Sequence, residues 1–270
     1  MIKTQYYIAY FSLFISSFAT AQSNMNLVSA AAAALGGNST TLSSEQSILG
    51  NPALFAKDNY KTMLSLGAQN RFQLSELNLF HAGALIKKKN SALGIALQYN
   101  GVPDFQRYSV GLMYGRRLFS KLDIATRLHF SQLDLNTYGK KGIVDADLGL
   151  YSALNKQFSF GFWVKNILHS KITTVENTET ALHLGFCYAP SEKVRFCAET
   201  EKYLSQTIRF KGGIEYNVAK SFTIRAGAQS SPIMPSFGLG YKAKNIKIDI
   251  ASSIHPNLGL VNAVNVGYAL

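Results

Sequence analysis

Residues 158–168 read FSFGFWVKNIL, and the first eight of them alternate between two kinds of side chain. Aromatic and aliphatic residues stand at every second position from Phe158 to Val164. The opposite parity holds Ser159, Gly161, Trp163 and Lys165, of which all but the tryptophan are small, polar or charged. Successive side chains of a strand point to opposite faces, so the stretch predicts a strand with one apolar and one polar face. Such strands are typical of a barrel wall between lipid and lumen.

The same alternation returns from Tyr60 to the C-terminus in segments of about ten residues, the usual length of a membrane-spanning strand. The predicted strands number fourteen: 61–72, 76–87, 91–101, 106–118, 122–135, 142–154, 158–168, 179–189, 194–204, 206–218, 222–230, 235–243, 246–254 and 259–270. A soluble sandwich also alternates, but we expect more charge on its water-facing side. The sequence therefore predicts an all-β, 14-stranded antiparallel transmembrane β-barrel with an N-terminal plug, or hatch, in the lumen.

The N-terminus has the features of a secretory signal peptide over residues 1–21. Lys3 precedes the apolar run Tyr6–Phe18, and a small-x-small cleavage pattern follows. The alternative is a membrane anchor, but the run is shorter than the roughly 20 apolar residues that a spanning helix needs. We expect residues 22–59 to form the hatch and 60–270 the barrel, in the outer membrane of a Gram-negative bacterium.

The bulk composition is apolar and basic. Hydrophobic residues make up 47% of the chain and charged residues 16%, with a net charge of +12. Clustered Lys and Arg favour nucleic acid in general, but an exported chain meets little of it, so we expect no nucleic-acid partner. Outer-membrane lipid headgroups or an acidic protein are the more natural counter-charges.

Lysines mark every second turn of the predicted barrel. The turns with lysine are 87–90, 120–121, 155–157, 191–193, 219–221 and 243–245. Because the first strand follows the hatch, we predict that these turns face the periplasm and that the longer turns at 100–105, 135–142 and 169–179 face outward. Plain solubility of exposed turns is the alternative explanation of the lysines.

Strand parity places a set of polar side chains in the lumen. The predicted lumen-facing residues are Arg127, His129, Asp145, Asp147, Lys165, Arg195, Glu199, Arg209, Lys211 and Glu215. Two interpretations remain open at this point: cross-strand charge pairs that line a filled barrel, or a path for ions or a ligand.

Catalytic motifs are weak in this chain. His129 with Asp145 or Asp147 could orient an imidazole beside Ser131, but no nucleophile elbow surrounds that serine. The metal-binding and phosphate-binding motifs are missing from the sequence. We expect neither an enzyme nor a cofactor or metal.

The two cysteines stand symmetrically about the turn at Glu192. Cys187 and Cys197 would lie directly opposite each other in a hairpin, with lumen parity. Directly opposed residues come within reach of a disulfide. Either a lumenal disulfide or two buried free thiols fits this spacing.

Residues 29–55 are the one long stretch of the predicted mature chain that does not alternate. It reads SAAAAALGGNSTTLSSEQSILGNPALF, with ALGGN at 34–38 and NPAL at 51–54. This pattern resembles the N-terminal hatch of the long-chain fatty-acid transporter (FadL-like) superfamily of barrels. It is most similar to the PorV/PorQ-type branch of the Bacteroidota, whose members are components of the type IX secretion system. The resemblance covers 29–55 closely and the rest only in architecture.

The resemblance gives five hatch residues a physical role. Gly36 and Gly37 permit tight backbone turns. Asn51 and Pro52, followed by Ala53, fix an extended turn that leads into the first strand.

The resemblance implies a non-enzymatic accessory or docking subunit of a secretion or cell-envelope assembly. Larger outer-membrane or periplasmic proteins would then be its partners. The alternative is a FadL-like passive transporter with a hydrophobic small molecule as ligand. The chain departs from fatty-acid importers, whose long outer loops build a docking groove, because its longest predicted outer loop, 169–179, has only about a dozen residues.

Overall fold

The computed structural model describes residues 27–102, 105–135, 139–171 and 178–270. The predicted signal peptide, the next five residues and most of the predicted loop 169–179 lie outside these ranges. Fourteen antiparallel strands pair in sequence order, and β1 pairs with β14 to close a barrel. The strands are β1 (Thr62–Arg71), β2 (Leu74–Lys88), β3 (Ser91–Val102), β4 (Phe105–Phe119), β5 (Leu122–Leu135), β6 (Gly139–Ala153), β7 (Phe158–Lys165), β8 (Ala181–Tyr188), β9 (Val194–Tyr203), β10 (Arg209–Ala219), β11 (Phe222–Gln229), β12 (Met234–Ala243), β13 (Ile246–His255) and β14 (Gly259–Ala269).

The predicted fold class is confirmed, and the strand bounds differ from the predicted ones by only a few residues. The strand β7 ends at Lys165, three residues earlier than predicted. Asn166 has a φ of 53° there, a left-handed conformation that a strand does not accommodate. The strand β10 begins at Arg209 instead of 206, because Leu204 and Ser205 form a turn.

The two faces of the wall follow the alternation. In β4 the side chains of Tyr108, Leu112 and Tyr114 are exposed on the outside, whereas Met113 is buried in the lumen. The closing pair has Leu66 opposite Val266, both on the outer face. An unbroken apolar outer surface is what a wall in contact with lipid requires.

Residues 27–57 lie inside the barrel and form the hatch. Its elements are a short helix, α1 (Ala30–Ala34), and two single-turn 3-10 segments, Ser44–Ser47 and Pro52–Ala56. The Ser29 hydroxyl caps α1 by accepting the Ala32 amide at 3.3 Å. Within the described residues, no helix is long and apolar enough to cross a membrane.

Small residues of the wall let the hatch come close. All five alanines of α1 are buried, and Ala30, Ala33 and Ala34 pack with Ala251 of β13 and Ala263 of β14. A Cβ added to Gly213 would lie 2.7 Å from the Leu35 Cα. Small lumen-facing residues of the wall therefore leave the space that the hatch fills.

The two ends of the barrel differ. Leu270 accepts the Thr62 amide at 3.0 Å, so β14 ends where β1 begins, and all six lysine turns lie at this "terminal end". Phe55 of the hatch packs here against Leu85 and Tyr151 in a buried cluster. The opposite "loop end" carries the turns after the odd-numbered strands. Which end faces the periplasm stays a prediction.

Candidate functional site

A cavity of about 750 Å³ lies between the hatch and the loop end. Its floor comes from the hatch, including Leu27, Val28 and the pair Gly36 and Gly37. Its walls and rim include Phe72, Trp163, Lys165, His183, Glu201, Arg209, Lys211, Met234, Leu258 and Val261. Leu258, in the β13–β14 turn, is exposed, so the cavity reaches the surface at that end. We call this cavity the vestibule.

Three charged groups of the vestibule, Glu201, Arg209 and Lys211, form ion pairs with one another or with Glu199. Lys211 forms ion pairs with Glu199, at 3.1 Å, and with Glu201. Glu201 also accepts a hydrogen bond from the Arg209 guanidinium at 3.2 Å. Buried charges are tolerated only when they are paired in this way. The vestibule therefore presents apolar and aromatic surface with this group of paired charges at one side.

Glu199 anchors the hatch to the wall of the vestibule. Its carboxylate accepts the amide of Ser39 at 2.6 Å and the amide of Thr40 at 3.0 Å. The Thr40 hydroxyl adds a third bond at 2.8 Å, and Lys211 donates to the Gly37 carbonyl at 3.1 Å. Residues 37–40 of the floor are thus held by a charged pair.

A second anchor holds the hatch at residues 47–50. The Arg127 guanidinium, 2% exposed, donates to the carbonyls of Ser47 at 3.0 Å, Ile48 at 2.8 Å and Gly50 at 3.0 Å. It also forms an ion pair with Asp147 at 2.7 Å. One buried cation therefore satisfies three hatch carbonyls and one carboxylate.

A third anchor involves Glu45. This hatch carboxylate pairs with Lys247 at 3.2 Å, and Lys247 pairs in turn with Asp249 at 2.8 Å. Burial raises the pKa of Glu45, and Lys247 opposes that shift. Further along the wall, Arg225 joins Asp249 and Glu215, and Arg195 joins Glu215.

The predicted hatch residues all lie on the inner side of the barrel. The Asn51 side chain accepts the Ala53 amide at 3.0 Å and donates to the Leu150 carbonyl of β6 at 2.9 Å. Pro52 begins the second 3-10 segment after this cap. Gly36 has a φ of 71° and packs against the backbone of β11, where a Cβ would lie 2.3 Å from the Ala228 oxygen. Only glycine fits there.

The structure separates the residues that a catalytic site would need. His129 Nε2 lies 2.8 Å from Asp147, but the Ser131 hydroxyl bonds to Ser109 at 2.7 Å. Asp145 accepts the amide of Leu168 at 3.1 Å. These partners give each group a structural role, and among the described residues His129 is not bonded to a serine.

The two cysteines are bonded to each other in the structure. Cys187 and Cys197 are directly paired in the register of β8 and β9, with Cα atoms 4.2 Å apart. Their side chains pack against Leu35 and Leu42 of the hatch, and the Thr41 hydroxyl lies 3.0 Å from Cys187 Sγ. The disulfide thus lies against the hatch.

A cluster of potential metal ligands already holds a cation of the protein. Atoms of His183, Glu199 and Glu201 lie within 4.8 Å of one another. The Lys211 ammonium bonds to both carboxylates of this cluster. A lysine charge therefore takes the role that a metal ion would have there.

Strand parity predicts the lumen face of three further residues but not that they meet in one cavity. Trp163, His183 and Glu201 have lumen parity and line the vestibule. Trp163 is the one tryptophan of the chain, and its place on a lumen face between phenylalanines was the available signal. Parity alone does not tell how high in the barrel a residue lies.

A larger concavity, of about 1050 Å³, lies on the outer face of the wall around β10–β14, β1 and β2. Exposed outward side chains such as Ile214, Phe237 and Ile250 line it. In a bilayer this surface meets acyl chains. We therefore take the vestibule as the candidate site.

The fold is that of known outer-membrane barrels. Neither a protein-family model nor a curated protein matches the chain. The toluene transporter TodX of Pseudomonas putida aligns with a TM-score of 0.67 at 11% identity, over 92% of this chain and 99% of TodX. A Pseudomonas aeruginosa FadL homologue gives 0.65 at 9% identity, over 90% and 98%. The Acinetobacter baumannii outer membrane protein Omp33 gives 0.53 at 8% identity, over 78% and 98%. At these identities the likeness concerns the fold.

Proposed function

We propose that this protein is a passive transporter of hydrophobic or amphipathic small molecules across the outer membrane. The observation that carries the proposal is the vestibule, a cavity of about 750 Å³ that reaches the surface at the loop end and whose lining combines aromatic and aliphatic side chains with charged ones. Pockets of this size and character are typical of small-molecule sites. The shared fold with a toluene transporter and a FadL homologue supports it.

The entry path of the ligand depends on which end of the barrel faces outward. With the loop end outward, a ligand enters the vestibule from outside and reaches the hatch floor at Val28 and Gly37. The three buried anchors hold the hatch in the lumen, so hydrophilic solutes find no wide water path. The protein would act without an energy source, since a concentration gradient drives the ligand inward.

Uptake into intact cells tests this proposal. Cells with a lipopolysaccharide outer leaflet would express the protein, and the fluorescence of N-phenylnaphthylamine would report entry of a hydrophobic probe. Hydrolysis of nitrocefin by a periplasmic β-lactamase would report entry of a hydrophilic one. We expect faster uptake of the first and an unchanged rate for the second. Equal uptake of N-phenylnaphthylamine with and without the protein would refute transport.

A second candidate function is the accessory or docking subunit of a secretion or envelope assembly, as the hatch resemblance to PorV/PorQ-type barrels implies. The dense anchoring of the hatch by Arg127, Glu199 and Lys247 favours it, because a scaffold needs a plug that stays in place. Purification from gently solubilised native membranes with mass spectrometry separates the two. Larger outer-membrane or periplasmic proteins should co-purify with an accessory subunit, and a barrel that purifies alone speaks against it.

A further inference from the structure

Two unpartnered nitrogen atoms belong to side chains in the wall of the vestibule. Trp163 Nε1 and His183 Nε2 have no hydrogen-bond partner among the described residues, and the two side chains are 4% and 3% exposed. Both residues line the cavity. A buried polar group without a partner is destabilising, because it has lost its hydrogen bonds to water. The wall therefore has hydrogen-bonding capacity that the protein itself does not use.

The two rings that carry these nitrogens stack on each other. The indole of Trp163 and the imidazole of His183 stack with ring centroids 4.4 Å apart and planes inclined by 22°. They come from paired positions of β7 and β8. The two rings therefore form one patch of the vestibule wall.

Their chemistry is complementary. The indole N–H only donates. His183 Nδ1 lies 3.0 Å from a Glu199 oxygen, and that carboxylate already accepts the amides of Ser39 and Thr40. A carboxylate only accepts, so His183 Nδ1 carries a proton toward Glu199, and in the neutral form of this tautomer the lone pair is on Nε2. The stacked pair thus offers one donor and, in that form, one acceptor.

We propose that the vestibule selects molecules that join an apolar body to a hydroxyl group, and that the hydroxyl binds at Trp163 and His183. The hydroxyl oxygen accepts the indole N–H, and its hydrogen is donated to Nε2. Leu258 and Val261 offer apolar surface to the rest of the molecule. A pure hydrocarbon leaves both nitrogens unpaired, and a carboxylate has no hydrogen for Nε2. This inference rests on the proposed function and narrows its ligand class.

The single tryptophan makes the site directly observable. Trp163 is the one tryptophan of the chain, so its fluorescence reports ligands in the vestibule. We would titrate toluene, para-cresol and para-methylanisole into the protein in detergent micelles, with protein-free micelles to correct for partitioning. Two recovered hydrogen bonds predict that para-cresol binds at least about ten times more tightly than toluene. The anisole, which cannot donate to His183, should bind several times more weakly than the cresol.

Variants separate the hydroxyl contact from general apolar binding. Trp163→Phe keeps a ring but removes the N–H, and calorimetry should show the cresol-to-toluene affinity ratio fall several-fold. Leu258→Ala is the matched control, because it removes apolar lining and should weaken both ligands by the same factor. If Trp163→Phe does not fold, the cresol-to-anisole comparison on the wild-type protein still decides.

The outcomes are distinguishable. Toluene and para-cresol binding equally well to the wild-type protein would overturn the hydroxyl subsite and leave the transport proposal standing. Binding of neither ligand would overturn both. A ratio that is unchanged in Trp163→Phe would also contradict the subsite.

Discussion

Replacing Arg127 by methionine should release the central part of the hatch. The guanidinium donates to three hatch carbonyls at 2.8–3.0 Å and pairs with Asp147 at 2.7 Å, and both side chains are at most 2% exposed. Breaking a buried pair by removing one partner costs about 3–5 kcal/mol. Since about 1.4 kcal/mol is a factor of ten in an equilibrium constant, even 2.8 kcal/mol makes opening about 100 times more frequent.

Hydrogen exchange with mass spectrometry measures that opening. The amide of Asn51 bonds to the Ser39 carbonyl at 3.2 Å, so a peptide over 47–54 reports whether the hatch is closed. Exchange of this peptide should accelerate about 100-fold in Arg127→Met. Arg209→Met is the matched control, since Arg209 pairs with Glu201 and Ser231 of the wall and has no hatch partner among its described hydrogen bonds.

A double variant separates the cost of an unpaired Asp147 charge from the loss of the hydrogen bonds to the hatch. Arg127→Met with Asp147→Asn removes both charges, so the loss of overall barrel stability should be smaller than in Arg127→Met alone. The three hatch carbonyls stay without a donor in both, and exchange over 47–54 should stay fast. Unchanged exchange in Arg127→Met would refute the anchor.

Three further predictions concern the hatch and its surroundings. Burial lowers the pKa of the Lys57 ammonium from 10.5 to about 7, so the folded state binds fewer protons than the unfolded chain between these values. Stability in urea should therefore rise from pH 7 to pH 10, and Lys57→Met should flatten the rise; an equally steep rise in the variant would contradict it. Gly149→Leu should displace the hatch and speed its proteolysis, because a Cβ at this position would lie 2.1 Å from the side-chain oxygen of Asn51. Gly142→Leu is the control: a Cβ there would have no atom within 4 Å, so proteolysis of the hatch should not change. Alkylation before reduction should leave Cys187 and Cys197 unlabelled in the intact mass, and two added labels would contradict the disulfide.

The alternation was enough to predict the barrel because each residue's parity decides its face. The predicted lumen residues Arg127 and Asp147 do lie on adjacent strands in direct register. The symmetry of Cys187 and Cys197 about their turn likewise gives their pairing. The alternation of side chains therefore predicts the number of strands, their order and the face on which each side chain lies.

The anchors of the hatch could not be read from that pattern. Ser39 and Glu199 are 160 positions apart, and parity does not tell at what height a lumen residue meets the hatch. A signal was nevertheless present in the lumen-facing glycines. A Cβ at Gly161 would lie 2.2 Å from the Thr40 oxygen, which shows that the wall is shaped around the hatch. A water-filled lumen would not require glycine at such a position.

The central claim is that a hydrophobic ligand binds in the vestibule between the hatch and the loop end. Crystals soaked in para-bromotoluene test it most directly, because the anomalous signal of bromine locates the ligand without a model of it. We predict a bromine peak inside the barrel, next to Trp163 and above the hatch backbone at Gly37. A peak confined to the outer concavity near Ile214 and Phe237 would contradict the claim.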